Sequence, residues 1–211
     1  MLKTWRTALR GPLGIALLGA VPALPSAFVL VGILQGSDAE GMMHDLVQPH
    51  YFSRPEPIVI HIVSAILFCI LAPLQFSAGL RMRYPKLHRI GGRVTMISGL
   101  VFALTAIALL GTLPATPQEW PGYIGLGFMG IGVCLSLCLS FLAIRRGDVI
   151  RHHQWMRRVI AFGLIAVSRI LFDVILSPFF GAETPLGEGI SIWLAIALNL
   201  FVAERLSKTG R

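Results

Sequence analysis

Two short stretches of the chain combine basic side chains with histidine. Arg145–Arg158 holds five arginines and two adjacent histidines, and Arg81–Arg93 holds a histidine among four arginines and a lysine. Imidazole nitrogens are the usual axial ligands of heme iron, and guanidinium groups bind carboxylates such as the heme propionates. His88 and His152, one from each stretch, are therefore the candidate axial ligands of a heme b.

Arginines of the Arg81–Arg93 stretch fit the same hypothesis, although membrane topology alone also accounts for them. Arg89 and Arg93 follow His88 closely and are candidate partners for the heme propionates. Cytoplasmic loops of membrane proteins, however, are rich in Lys and Arg whatever the protein does. Heme sites in helical bundles generally use histidines that project from facing helices rather than from helix ends. The basic stretches thus have two interpretations. They bind heme b, or they are cytoplasmic loops whose positive charge only sets the membrane topology.

Polar side chains inside apolar runs form a second candidate site. Arg169 and Asp173 are four residues apart, so on a helix their side chains can pair. A charge at the bilayer centre costs about 2.5–3.5 kcal/mol, so such residues generally face a partner. His61 begins a helical stripe that reaches Gln75, and we expect His61 to share a membrane layer with Asp173. The predicted network of these four residues would serve a quinone, a proton relay or a further heme ligand. The alternative is an ion pair that only orders the bundle.

A weaker pattern lies between the first two apolar runs. Met42, Met43, His44 and His50 combine thioethers with imidazoles, which suits Cu(I). Their spacing matches no established metal motif, and exposed methionines of a surface helix more often contact lipid. The chain has no Walker loop, G-x-S-x-G, H-E-x-x-H or C-x-x-C pattern, so the sequence assigns no reaction.

The elements that must position these residues are apolar segments long enough to cross a bilayer. The chain is 55% hydrophobic and 13% charged, whereas soluble domains have about a quarter charged residues. About 20 apolar residues span the hydrocarbon core as a helix. The sequence predicts a single all-α domain over residues 1–211, a polytopic bundle of about six transmembrane helices. The predicted spans are about Pro12–Leu34, Ile58–Leu80, Val94–Leu113, Tyr123–Ile144, Val159–Leu176 and Ile190–Ala203.

The first of these runs could also be a signal peptide, because it follows a basic N-terminus. It is longer than the apolar region of a signal peptide, which has about 7–15 residues, so we favour a retained helix. In the fourth run, Gly132, Ser136 and Ser140 recur every four residues, which predicts close contact with another helix. The three cysteines all fall in apolar runs, which argues against a disulfide framework.

The positive charges are distributed as the positive-inside rule predicts. With the N-terminus in the cytoplasm, sixteen of the eighteen Lys and Arg residues lie in cytoplasmic segments. Only Arg54 lies outside, and Arg169 lies within a span. The net charge of +8 is therefore explained by topology and does not indicate nucleic-acid binding. Both termini are predicted to be cytoplasmic.

A set of scattered positions matches the pattern of a known family. These positions are His61, Pro73-Leu74-Gln75-Phe76, Arg81, Pro85, His88-Arg89, Gly92-Arg93, Gly147-Asp148, His152, Trp155-Met156 and Arg169. The resemblance is to the bacterial membrane proteins named domain of unknown function 2306, and it covers about Ile58–Asp173, with the first and last spans as additions. This chain has His152-His153 where the family has His-Arg, so His152 is the family-like histidine. The resemblance implies a multi-pass protein of the bacterial inner membrane and no agreed activity.

Three functional hypotheses follow. The first is a heme-b redox protein that exchanges electrons with a quinone. The second is a small transporter or channel whose polar stripes line one path. The third is a non-catalytic assembly or structural subunit of a membrane complex or oligomer. In each, the lipid bilayer is the immediate environment.

Overall fold

The computed structural model describes residues 23–38, 40–45, 47–112, 116–180 and 184–209, and every regular element within these ranges is an α-helix. The predicted all-α class is thus confirmed. The helices are α1 (Ala23–Gln35), α2 (Met42–Asp45), α3 (His50–Ser53), α4 (Glu56–Gln75), α5 (Ala78–Arg83), α6 (Pro85–Leu110), α7 (Trp120–Arg145), α8 (Val149–Gly163), α9 (Ile165–Phe180) and α10 (Pro185–Thr209).

Four of these helices, α4, α6, α7 and α10, are long and apolar enough to cross a membrane. The pair α8–α9 passes the same test together, although it is bent by 43° at its junction. These four or five candidate spans correspond to the second through sixth predicted runs. The first predicted run lies partly outside the described residues, and its described part is α1. The total of six spans and the orientation of the termini stay predictions.

The chain divides into two compact units, Met1–Thr105 and Ala106–Arg211, with the boundary inside α6. In the first unit, α4 and the first part of α6 lie antiparallel. His61 near the start of α4 contacts Phe102 on α6, whereas Gln75 at the end of α4 lies over Gly91. A Cβ atom on Gly91 would come within 2.8 Å of the Gln75 amide nitrogen, so glycine allows this close approach.

In the second unit, α7, α8, α9 and α10 pack together. Ser136 and Ser140 on α7 are buried. A Cβ atom on Gly132 would come within 2.3 Å of the Phe162 ring on α8. The predicted close contact along this small-residue face is therefore present. At Gly132 and at Ser140 the face of α7 packs against α8.

The bend between α8 and α9 is stabilised from α10. A helix end leaves its last carbonyls without intrahelical partners, and an unsatisfied backbone group costs several kcal/mol in lipid. The side-chain amide nitrogen of Asn199 donates to the Ala161 carbonyl at 3.0 Å, and the Ser168 hydroxyl donates to the Asn199 amide oxygen at 2.7 Å. Asn199 thus bonds to both halves of the broken span.

Candidate functional site: two oriented histidines and a charged cluster

The imidazole of His61 is oriented by α6. Its Nδ1 lies 3.1 Å from the Phe102 carbonyl oxygen and 3.2 Å from the Thr105 hydroxyl. The Thr105 hydroxyl has acceptors of its own in the carbonyls of Val101 and Phe102. Because a carbonyl oxygen can only accept, this arrangement places the ring proton on Nδ1 and the lone pair on Nε2. No described residue of the same unit forms a hydrogen bond with Nε2.

His152 in the second unit has the same arrangement. Its Nδ1 lies 3.1 Å from the Ser140 carbonyl oxygen and 2.8 Å from the Ser140 hydroxyl. The hydroxyl is itself placed to donate to the His152 carbonyl at 3.5 Å. Nδ1 therefore carries the proton, and the lone pair of Nε2 points away from Ser140. Ser140 is fully buried, so its backbone gives the ring a rigid partner.

The start of α8 fixes the backbone that carries His152. The Asp148 carboxylate accepts the Arg151 amide at 2.9 Å, which is an N-cap. The same carboxylate lies 3.3 Å from the Arg151 guanidinium. His152 is thus held at both ends, its backbone by the capped first turn and its ring by Ser140. His153 lies beside it, with 5.7 Å between the ring centroids.

The remaining predicted heme residues lie at the start of α6. The Arg89 guanidinium donates to the Pro85 carbonyl at 3.3 Å, and both Arg89 and Arg93 are exposed. His88 lies in the first turn of α6 and belongs to the first unit, whereas His152 belongs to the second. Their pairing at one iron therefore stays a prediction.

A charged cluster lies between α9 and α10. The Arg169 Nε lies 3.2 Å from the Asp173 carboxylate, and Nη2 lies 3.3 Å from the Glu188 carboxylate. Arg169 and Asp173 are thus in contact, as their four-residue spacing predicts, and Glu188 is a further partner of Arg169. His61 and Gln75, which the sequence placed in the same network, belong to the first unit. There the Gln75 amide oxygen is buried and accepts no hydrogen bond from the described residues.

Sequence analysis missed Glu188 because it assigned the stretch before Ile190 to a loop. Helix α10 begins earlier, at Pro185, which puts Glu188 in its first turn. The signal was present, since an acidic residue favours the first turn of a helix. Asn199 and Glu204 on α10 were missed as well, and both contact α8.

A second ion pair joins α8 to the other end of α10. The Arg158 Nε lies 2.6 Å from the Glu204 carboxylate, and its guanidinium lies 4.2 Å from the centroid of the Trp155 ring. The Arg157 guanidinium donates to the Leu206 carbonyl at 3.1 Å, near the end of α10. Together with Asn199, polar contacts therefore join α8–α9 to α10 at three levels along their length.

The predicted metal ligands of the α2–α3 segment are only partly brought together. The His44 ring stacks on Phe52 with 4.9 Å between centroids, and Nδ1 lies 3.5 Å from the Asp45 carboxylate. The Nε2 atoms of His44 and His50 are buried and form no hydrogen bond with described residues. Met42 is exposed, and the side chain of Met43 lies outside the described part. Among the described residues, no group of three His, Cys, Asp or Glu side chains is placed to hold a metal.

Comparison with known proteins gives one match. The family described as "Predicted membrane protein (DUF2306)" matches residues 58–207. The match covers α4 through most of α10, so it extends beyond the stretch of scattered resemblances and includes both oriented histidines and the charged cluster. No curated protein and no solved structure matches the chain. The chain therefore belongs to the DUF2306 family of predicted membrane proteins.

Proposed function

We propose that the protein is a heme-b-binding redox protein of the bacterial inner membrane, with His152 as one axial ligand. The observation that carries the proposal is the contact between His152 Nδ1 and the buried Ser140 carbonyl, 3.1 Å away. Metal-ligating histidines almost always donate their second ring N–H to a backbone carbonyl or a carboxylate, which fixes the tautomer and raises the basicity of the ligating nitrogen. His152 has this support, and its Nε2 has no hydrogen-bond partner among the described residues of its unit.

The surroundings of His152 also suit an anionic porphyrin. Arg145 and Arg146 lie within seven residues of it and are exposed, so their guanidinium groups are placed to bind carboxylates, whereas Arg151 pairs with Asp148. Bound heme would supply one-electron chemistry, with a potential set by its ligands and by the polarity around it. The chain itself would fix the imidazole, neutralise the propionates and hold the group at the end of the bundle.

The first unit holds two further candidate heme ligands of its own. His61 repeats the arrangement of His152, with Nδ1 on a facing backbone carbonyl, and His88 stands among the arginines of the α6 start. For quinone-linked transfer, the cluster of Arg169, Asp173 and Glu188 provides both a donor and carboxylates that can exchange the protons of a quinone headgroup.

Heme titration of the purified apoprotein tests the proposal, with neighbouring residues as matched controls. We expect hemin to give a sharp Soret band in the parent protein and in His153→Ala. His152→Ala should lose the band or weaken heme binding at least tenfold. His61→Ala and His88→Ala are titrated in the same way, and each should lower the heme bound per chain if that histidine also binds iron. Equal heme binding by His152→Ala and His153→Ala would remove His152 from the site, and no specific binding by the parent protein would end the heme proposal.

A second candidate function is a small transporter or channel. It is favoured by the polar contacts that join α8–α9 to α10 at three levels, through Glu188, Asn199 and Glu204. Such a row inside a bundle is typical of ion and substrate paths. Proteoliposomes separate this function from a purely structural role. Arg169→Lys should keep the fold in either case. If the row is a path, that variant should reduce passage of ions or protons. Equal passage by vesicles with and without the protein would exclude transport.

A further inference from the structure

One end of the second unit is strongly basic. The cations there lie at the end of α7, in the first part of α8 and at the end of α10, and they are accompanied by the carboxylates of Asp148 and Glu204. We call this set the basic rim. It consists of Arg145, Arg146, Arg151, Arg157, Arg158, Arg205 and Lys208.

Contacts between the three helices bring the rim together. Ser140 near the end of α7 contacts His152 near the start of α8. Arg158 on α8 pairs with Glu204 on α10, and Arg157 donates to a carbonyl in the last turns of α10. Among the described residues, seven cations and two carboxylates therefore meet at one end of the second unit, which gives that end a net positive charge.

Three arginines of the rim lie over aromatic rings. The guanidinium carbon of Arg145 is 5.8 Å from the centroid of the Phe141 ring, and that of Arg205 is 4.9 Å from the Phe201 ring. Arg158 lies 4.2 Å from Trp155 in the same way. In each pair the ring precedes the arginine by one helical turn on its own helix. A ring against the flat face of a guanidinium restricts its rotation and leaves the N–H groups at its edge directed outward.

We infer that the basic rim binds the phosphate groups of anionic lipids. The orientation of three guanidinium groups by aromatic rings supports this, whereas the share of arginine does not, because arginine outnumbers lysine throughout the chain. Topology requires only positive charge, which lysine supplies equally well. A planar guanidinium instead binds two phosphate oxygens at once, which a lysine ammonium cannot do. Three guanidinium groups held against aromatic rings are therefore better explained by phosphate recognition than by charge alone.

The position of the rings indicates lipid rather than a dissolved anion. Phe141 and Phe201 are 43% and 56% exposed, and exposed Leu142, Ile144 and Val202 lie beside them on α7 and α10. The guanidinium groups therefore stand where the apolar surface of two candidate spans meets the polar end of the bundle. That boundary is the depth of the lipid phosphates in a bilayer, and cation-rich segments there attract anionic headgroups.

Lipid retention during native mass spectrometry tests the inference, with phosphatidylglycerol and phosphatidylcholine of equal chain length as probes. We expect the parent protein to retain phosphatidylglycerol about tenfold better than phosphatidylcholine. The double variant Arg145→Gln/Arg205→Gln should lose this preference. Arg145→Lys/Arg205→Lys, which keeps the charge and removes the planar fork, should lose most of it. Arg54→Gln, an exposed arginine outside the rim, is the matched control and should behave as the parent.

Three results would overturn the inference. The first is equal retention of the two lipids by the parent protein. The second is an unchanged preference in the Arg145→Gln/Arg205→Gln variant, provided that its melting temperature shows it to be folded. The third is complete loss of the preference when inorganic phosphate is added, because the rim would then bind dissolved phosphate and not lipid. Preference retained in the lysine variant would assign the effect to charge alone and equally contradict recognition by arginine.

Discussion

The pairing of Arg169 with Glu188 gives the sharpest quantitative prediction. The two side chains come from different helices, α9 and α10, and Nη2 lies 3.3 Å from the carboxylate. Arg169→Ala leaves both Glu188 and Asp173 without their counter-charge. Removing one partner of a buried ion pair costs about 3–5 kcal/mol, whereas an exposed pair contributes about 0–1 kcal/mol.

The cluster includes Glu188 in the first turn of α10, near one end of that helix, and protein covers its side chains only in part, so it falls between those limits. The side chains of Arg169, Asp173 and Glu188 are 31%, 38% and 44% exposed. We therefore expect Arg169→Ala to destabilise the protein by about 1–2 kcal/mol, a value between the exposed and buried limits. For a protein of this size, that change lowers the melting temperature by about 2–8 °C.

A double-mutant cycle in detergent provides the assay. Arg169→Ala, Glu188→Gln and the double variant are compared by thermal unfolding, and Asp173→Asn is the second arm. If Arg169 and Glu188 contact each other directly, the double variant should be less destabilised than the sum of the single variants by about 0.5–1 kcal/mol. Additive effects within about 0.3 kcal/mol would refute the pairing, since independent sites behave in that way.

Three further predictions concern packing and local charge. Asn199→Leu should lower the free energy of unfolding by about 1–3 kcal/mol, because it removes two hydrogen bonds at the bend and leaves a backbone carbonyl unsatisfied. Thermal unfolding measures this loss. Asn199→Asp is the control, because it keeps the size of the side chain and removes only the amide donor. Gly132→Ala should destabilise by about 1–3 kcal/mol because the new methyl group overlaps the Phe162 ring, and a compensating Phe162→Leu should restore part of the melting temperature. The Thr116 amide and hydroxyl both donate to the Glu119 carboxylate and lower its pKa. A carboxyl whose pKa is lower in the folded state stabilises above its ordinary pKa and loses that contribution as the pH falls through the lowered value. The amide resonance of Thr116 should therefore shift at a pH below the ordinary carboxyl range, and Glu119→Gln should abolish the shift.

The helical class and the four or five candidate spans could be predicted from the sequence because lipid imposes a simple rule. Every backbone polar group must be satisfied within the segment, so a long apolar run is a helix. The four-residue spacing of Arg169 and Asp173 also sufficed to predict a contact along one helix. In both cases the prediction depends only on the local periodicity of the sequence.

Specific side-chain pairings between helices were the part that the sequence could not predict. Ser140 was interpreted as a packing residue, and nothing in its spacing indicates that its carbonyl orients His152. Asn199 lies in an apolar run, and its role depends on a bend at residue 164 that no proline marks. Glu188 was assigned to a loop because the apolar run starts after it, although the helix starts before it. Pairing across helices depends on rotation and register, which hydrophobic periodicity does not determine.

The central proposal is that heme b binds to His152. The absorption spectrum of the detergent-purified protein, expressed in heme-replete cells and recorded before and after reduction with dithionite, tests it most directly. The account predicts stoichiometric heme with a Soret band that shifts on reduction, and loss of that heme in His152→Ala but not in His153→Ala. A colourless parent protein that stays colourless after reconstitution with hemin would contradict it.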